Sequence, residues 1–114
     1  MTAEFKQRIH DAIEACRAIG SFTQGVTFDD YAGNLLLRSA VERQFEILGE
    51  ALNRASTMAP EIEALLPDLR RIVGMRNRII HGYDSVDDEI IWDAFNIIFP
   101  PFRHLFRPFC PING

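Results

Sequence analysis

Apolar residues recur along this chain at helical spacing, and no segment shows the sustained alternation of a half-buried strand. From Ala3 to Ile19, Phe5, Ile9, Ala12, Ile13 and Cys16 share one stripe, which predicts a first helix stopped by Gly20. The stretch SFTQGVTFDDYAGN is turn-rich, with Thr27 or Asp29 placed to cap a short helical piece. NLLLRSAVERQFEILGEALNRAS then aligns Leu36, Ala40, Val41, Ile47, Leu48, Ala51 and Leu52 on one face, with Glu42, Arg43, Glu46, Glu50 and Arg54 largely off it. This predicts the longest helix.

APEIEALLP reads as a short helical turn between prolines. Asp68 is a good N-cap for a helix carrying Leu69, Ile72, Val73, Ile79 and Ile80, and Gly82 is placed to end it. Ser85 and Asp88 make a capping-box pattern for a further helix with Ile90, Ile91, Ala94, Phe95 and Ile98, which Pro100 and Pro101 interrupt. The fold class predicted is all-α, an antiparallel bundle of four main helices with one short helix.

At 114 residues the chain has room for one domain, read as 1–114 with an irregular Pro/Phe-rich segment at 100–114. A composition 47% hydrophobic and 25% charged is that of a chain that folds. Charges in the first turns rule out an apolar signal-peptide core, and no run reaches the length of a membrane span, so a cytoplasmic protein is expected. Cys16 and Cys110 lack ligand spacing and read as reduced thiols.

The net charge of −4 argues against a broad nonspecific nucleic-acid surface. Its distribution changes the picture, because from Arg70 to Tyr83 there are four arginines and His81 with no acidic residue. The common catalytic signatures are missing: no glycine-rich phosphate loop, no G-x-S-x-G elbow, no HExxH. Asp84, Asp87, Asp88 and Glu89 lie where acids complement a helix N-terminus, which explains them better than a cation site does. His10 and His104 stand alone, and Trp92 reads as core or interface.

MRNRIIHGYD, Met75 to Asp84, is the remaining candidate. Basic residues there meet the negative end of a helix dipole, which is a sufficient structural reason for them. They are also a workable set for phosphodiester chemistry: histidine moves a proton near neutral pH, and arginine holds a phosphate bidentately and stabilises a pentacovalent transition state. No metal or cofactor is called for. Arg76 and His81 are five positions apart, about 140° around a continuous helix and about 7.5 Å along it, whereas Arg78 and His81 share a face. Either the helix ends near His81, or Arg76 reaches around, or two chains contribute. A twofold dimer would also supply two histidines, one as base and one as acid.

RNRIIHGY, Arg76 to Tyr83, resembles the R-x4-H-x-Y motif of HepT-like toxins, a branch of the HEPN ribonuclease superfamily. AVERQFEILGEALNRAS resembles that family's long second helix, and VDDEIIWDAF the helix after its motif, so the similarity spans 1–99. The resemblance implies a HEPN-like fold, a homodimer with the motifs facing one cleft, and metal-independent RNA cleavage. It assigns Arg76 and His81 as the catalytic pair, with Asn77 shaping the site; Arg78, on the face of His81, is read as a further supporting residue. It also implies neutralisation by a minimal nucleotidyltransferase antitoxin able to transfer AMP to Tyr83. A noncatalytic HEPN subunit that docks a nucleotidyltransferase is the alternative. The segment FPPFRHLFRPFCPING departs from the family, whose terminal helix runs on more regularly.

Overall fold

The computed structural model describes residues 2–81 and 88–93. They form α1 (Ala3–Thr23), α2 (Phe28–Ala32), α3 (Leu35–Met58), α4 (Ile62–Leu65) and α5 (Leu69–Ile80). Residues 88–93 are helical as well, and no strand occurs among the described residues. The chain is thus an all-α bundle, in which α3 packs against both α1 and α5.

α1 begins at Thr2, whose hydroxyl accepts the Phe5 N–H at 3.1 Å. It does not stop at Gly20 as the pattern suggested but continues one turn to Thr23. Burial of both Ile19 and Thr23 extends the core-facing stripe across that turn. The Thr23 hydroxyl donates to the Ile19 carbonyl at 2.7 Å, so the added turn leaves no buried polar atom on that side chain unmatched. Gly25 makes the actual turn: its φ of +72° is open to glycine at little cost. Thr27 then caps α2 in a reciprocal capping box with Asp30.

In α3 the buried face runs through Val41, Phe45, Leu48, Leu52 and Ala55, spaced alternately four and three apart. Leu36, expected on this stripe, is 81% exposed because it falls off the face that Val41 and Phe45 define. In α5 the buried residues are Leu69, Ile72, Val73 and Ile79, while Ile80 is turned outward and 46% exposed. Asp68 precedes α5 without a side-chain capping bond; its carboxylate pairs with Arg71 at 3.5 Å instead.

Ile91 is fully buried and Trp92 packs its ring 5.2 Å from that of Tyr31, which ties 88–93 to α2. Asp88 adds an ion pair with Arg38 of α3 at 3.7 Å. Asp88 therefore has a structural partner in α3. Gly82, Tyr83, Asp84, Ser85 and Asp87, with Ala94, Phe95, Ile98, His104, Cys110 and the segment 100–114, lie outside the described residues.

Candidate active site

Arg76 takes its direction from the apolar stripe of α5. It lies four positions after Ile72 and three after Val73, so the burial of those two residues turns it toward α3 as well. The helices meet closely there because α3 presents Gly49: a Cβ at that position would stand 2.4 Å from the Arg76 Cβ. The arginine stem lies along the glycine, and its head reaches the next residue. Nη2 donates to Glu50 Oε2 at 2.5 Å, while Nη1 donates to the side-chain amide oxygen of Asn77, Oδ1, at 2.7 Å.

Glu50 is itself held from the opposite side by Arg54, whose Nε donates to it at 2.6 Å. The hydrogen bond from Arg54 holds the Glu50 carboxyl below the usual glutamate range, against the opposing effect of burial, and the charges of Arg76, Arg54 and Arg8 act in the same direction. Two guanidinium groups share this one carboxylate. The cluster keeps a net positive charge.

Arg76 lines an open groove of about 310 Å³ between α1, α3 and α5, together with Arg8 and Asp11 of α1, Arg43, Glu46 and Glu50 of α3, and Ile80. Arg43 is engaged by Glu46 at 3.0 Å. A larger recess of about 670 Å³ between α2 and the start of α3 has Asp29 and Asp30 on its wall and none of the motif residues.

His81 closes α5. Its backbone N–H bonds to the carbonyls of Asn77 and Ile79, its φ and ψ of −74° and −3° stay in the helical region, and it is exposed. The backbone therefore carries it about 140° around the axis from Arg76. Arg76 does not reach around α5; its head is drawn to α3. Arg78, three positions before His81, is exposed too, and Asn77 is joined to Arg76. Tyr83 lies outside the described residues.

Sequence reasoning missed Gly49 and the second role of Glu50. The available signal was a glycine inside the longest helix, a costly choice in a helix interior unless another backbone or stem needs the space.

An all-α frame that braces an arginine on a polar groove, with a histidine at the end of the same helix, is suited to phosphodiester chemistry. The family described as Ribonuclease HepT-like matches residues 12–108, and the chain belongs to it. A protein of Thermococcus cleftensis named "Probable ribonuclease HepT" is 29% identical over 109 residues, covering 94% of this chain and 96% of its own length. One from Methanocaldococcus jannaschii, named as a "Putative RNase", is 26% identical over 104 residues, covering 91% and 85%. Another of that description, from Caldanaerobacter subterraneus, is 31% identical over 82 residues, covering 72% of each chain. No solved structure matches the chain significantly. Among the described residues, no helix is long and apolar enough to cross a membrane.

Proposed function

We propose that this HepT-like ribonuclease is the toxin of a toxin-antitoxin pair, cutting RNA in the cytoplasm without a metal through Arg76 and His81. The observation that carries the reading is the braced arginine on the groove, in a family of ribonucleases, five positions before an exposed histidine. Arg76 binds the scissile phosphate and stabilises the extra charge of the pentacovalent state. His81 takes the proton from the ribose 2′-hydroxyl. The 2′ oxygen bonds to phosphorus, the bond from phosphorus to the 5′ oxygen breaks, and a proton returns to that leaving oxygen. The products are a 2′,3′-cyclic phosphate and a 5′-hydroxyl.

One α5 presents one histidine of this motif, on a different flank from its arginine. A homodimer with two facing copies supplies a base from one chain and an acid from the other, and sets each histidine within reach of an arginine. The chain works as a single helical domain in that pair, with Asn77 and Arg78 supporting the site. The partner is a nucleotidyltransferase antitoxin, and Tyr83 is the residue it modifies. An AMP group there adds a bulky, negatively charged nucleotide to the motif and so opposes RNA binding by occupancy and repulsion.

Expression of the chain alone under tight induction, beside His81→Ala, tests this. The wild type is expected to arrest growth and degrade cellular RNA while the variant does neither. If both are harmless, the noncatalytic docking subunit replaces the nuclease reading.

A further inference from the structure

Arg76 is held at both ends of its guanidinium, and by unlike groups. Glu50 accepts from one terminal nitrogen at 2.5 Å and Asn77 from the other at 2.7 Å. The carboxylate cannot follow a moving arginine freely, because Arg54 anchors it from the neighbouring turn of α3 at 2.6 Å. Gly49, one position earlier, brings the arginine stem against the α3 backbone. Three residues of α3, Gly49, Glu50 and, through Glu50, Arg54, join Asn77 in fixing one side chain of α5.

On the nuclease reading, we infer that Glu50 is a positioning residue for Arg76: it fixes the plane of the guanidinium so that the remaining N–H donors of its two terminal nitrogens, Nε being buried, meet the RNA phosphate in the groove. An arginine that must recognise phosphate in a planar, bidentate way gains from being oriented before substrate arrives, since the ordering is then complete when the transition state forms. A carboxylate beside a phosphate site would ordinarily repel the ligand. Here it is shared by Arg54 and Arg76, so the cluster stays cationic. The second grip on Arg76 comes from a neutral amide, which adds no further negative charge.

The alternative role of the same contact is a brake, in which RNA must first displace Glu50 from Arg76. Substitution separates the two. Glu50→Gln keeps the shape and an acceptor but removes the charge, and Glu50→Asp keeps the charge with a shorter reach. Each full-length variant is compared with wild type by melting temperature, by single-turnover cleavage of an RNA with one cleavable linkage, and by binding of the same RNA with a 2′-deoxy residue there. Arg76 Nε–Hε is followed by 15N NMR.

If Glu50 positions Arg76, Glu50→Gln slows cleavage by about ten- to a hundredfold, a loss of the size that misplacing a binding group causes, while the deoxy RNA binds within about threefold of wild type. Glu50→Asp recovers part of the rate, and the Arg76 resonance loses the narrow, slowly exchanging form of a fixed guanidinium. Unchanged or faster cleavage by Glu50→Gln overturns the inference, as does an unaltered Arg76 resonance. If the wild type cuts no RNA, the nuclease reading fails, and the resonance still decides whether Glu50 fixes Arg76.

Discussion

Gly49 of α3 and Arg76 of α5 touch so closely that a methyl group on the glycine would overlap the arginine stem, 2.4 Å from Cβ and 2.8 Å from Cγ. The same Cβ would stand 3.4 Å from the Ile72 carbonyl oxygen, an ordinary contact, so the conflict lies with Arg76 alone. Gly49→Ala should gain helix propensity and still lose stability, by about 1–3 kcal/mol, because α5 must shift or Arg76 must leave its rotamer. Chemical denaturation of the two proteins measures this. An alanine variant as stable as wild type, cutting RNA as fast, would mean the close approach is incidental.

Arg76→Lys tests whether charge alone suffices. A lysine ammonium is a point charge and cannot bridge Glu50, Asn77 and a phosphate in one plane. Cleavage should fall about a hundredfold or more, with binding of uncleavable RNA less affected. Equal loss in rate and in binding would place Arg76 in ground-state attraction only.

Glu42 carries a pH dependence of known sign. Burial pushes its carboxyl above the ordinary value of 4.5, Asp88 and Glu46 add to the effect, and Arg38 opposes it. From pH 4.5 up to the raised value, the folded protein keeps a proton that the unfolded chain releases, so this contribution to stability falls as pH rises through that window. Glu42→Gln should flatten that part of the curve and raise the melting temperature at neutral pH. Glu50 has the opposite sign: its contribution is present above the ordinary value and is lost as pH falls through its lowered one.

Tyr31 is fully buried, and among the described residues nothing hydrogen-bonds its hydroxyl. Burial pushes that phenol far above its usual range, with Glu42 and Asp88 adding to it and Arg38 opposing, so it remains protonated. Tyr31→Phe keeps the ring against Trp92 and should change stability by less than about 1 kcal/mol, whereas Tyr31→Ala should cost about 3–5 kcal/mol. A large loss in the phenylalanine variant would show that the hydroxyl has a structural partner after all.

The helices were legible because apolar spacing records which face is buried, and α3 and α5 carry long, regular stripes. Their limits were less legible. Gly20 and Gly25 offer the same local signal, yet only Gly25 adopts the conformation that ends a helix, because Ile19 and Thr23 have core to cover. Leu36 was misread for the same reason: a leucine near the stripe is buried only if the packing partner extends that far. The basic segment around Arg76 was visible as a run of residues. Its brace was not, since Glu50 lies 26 positions away and only the packing of α3 on α5 brings the two together.

The most direct test incubates the purified chain with a defined RNA in excess EDTA and examines the ends of the products. Cleavage to 2′,3′-cyclic phosphate ends, lost in His81→Ala and in Arg76→Ala while both variants stay folded, is the predicted result. Cleavage that persists at the wild-type rate in either variant would contradict the assignment of Arg76 and His81 as the catalytic pair.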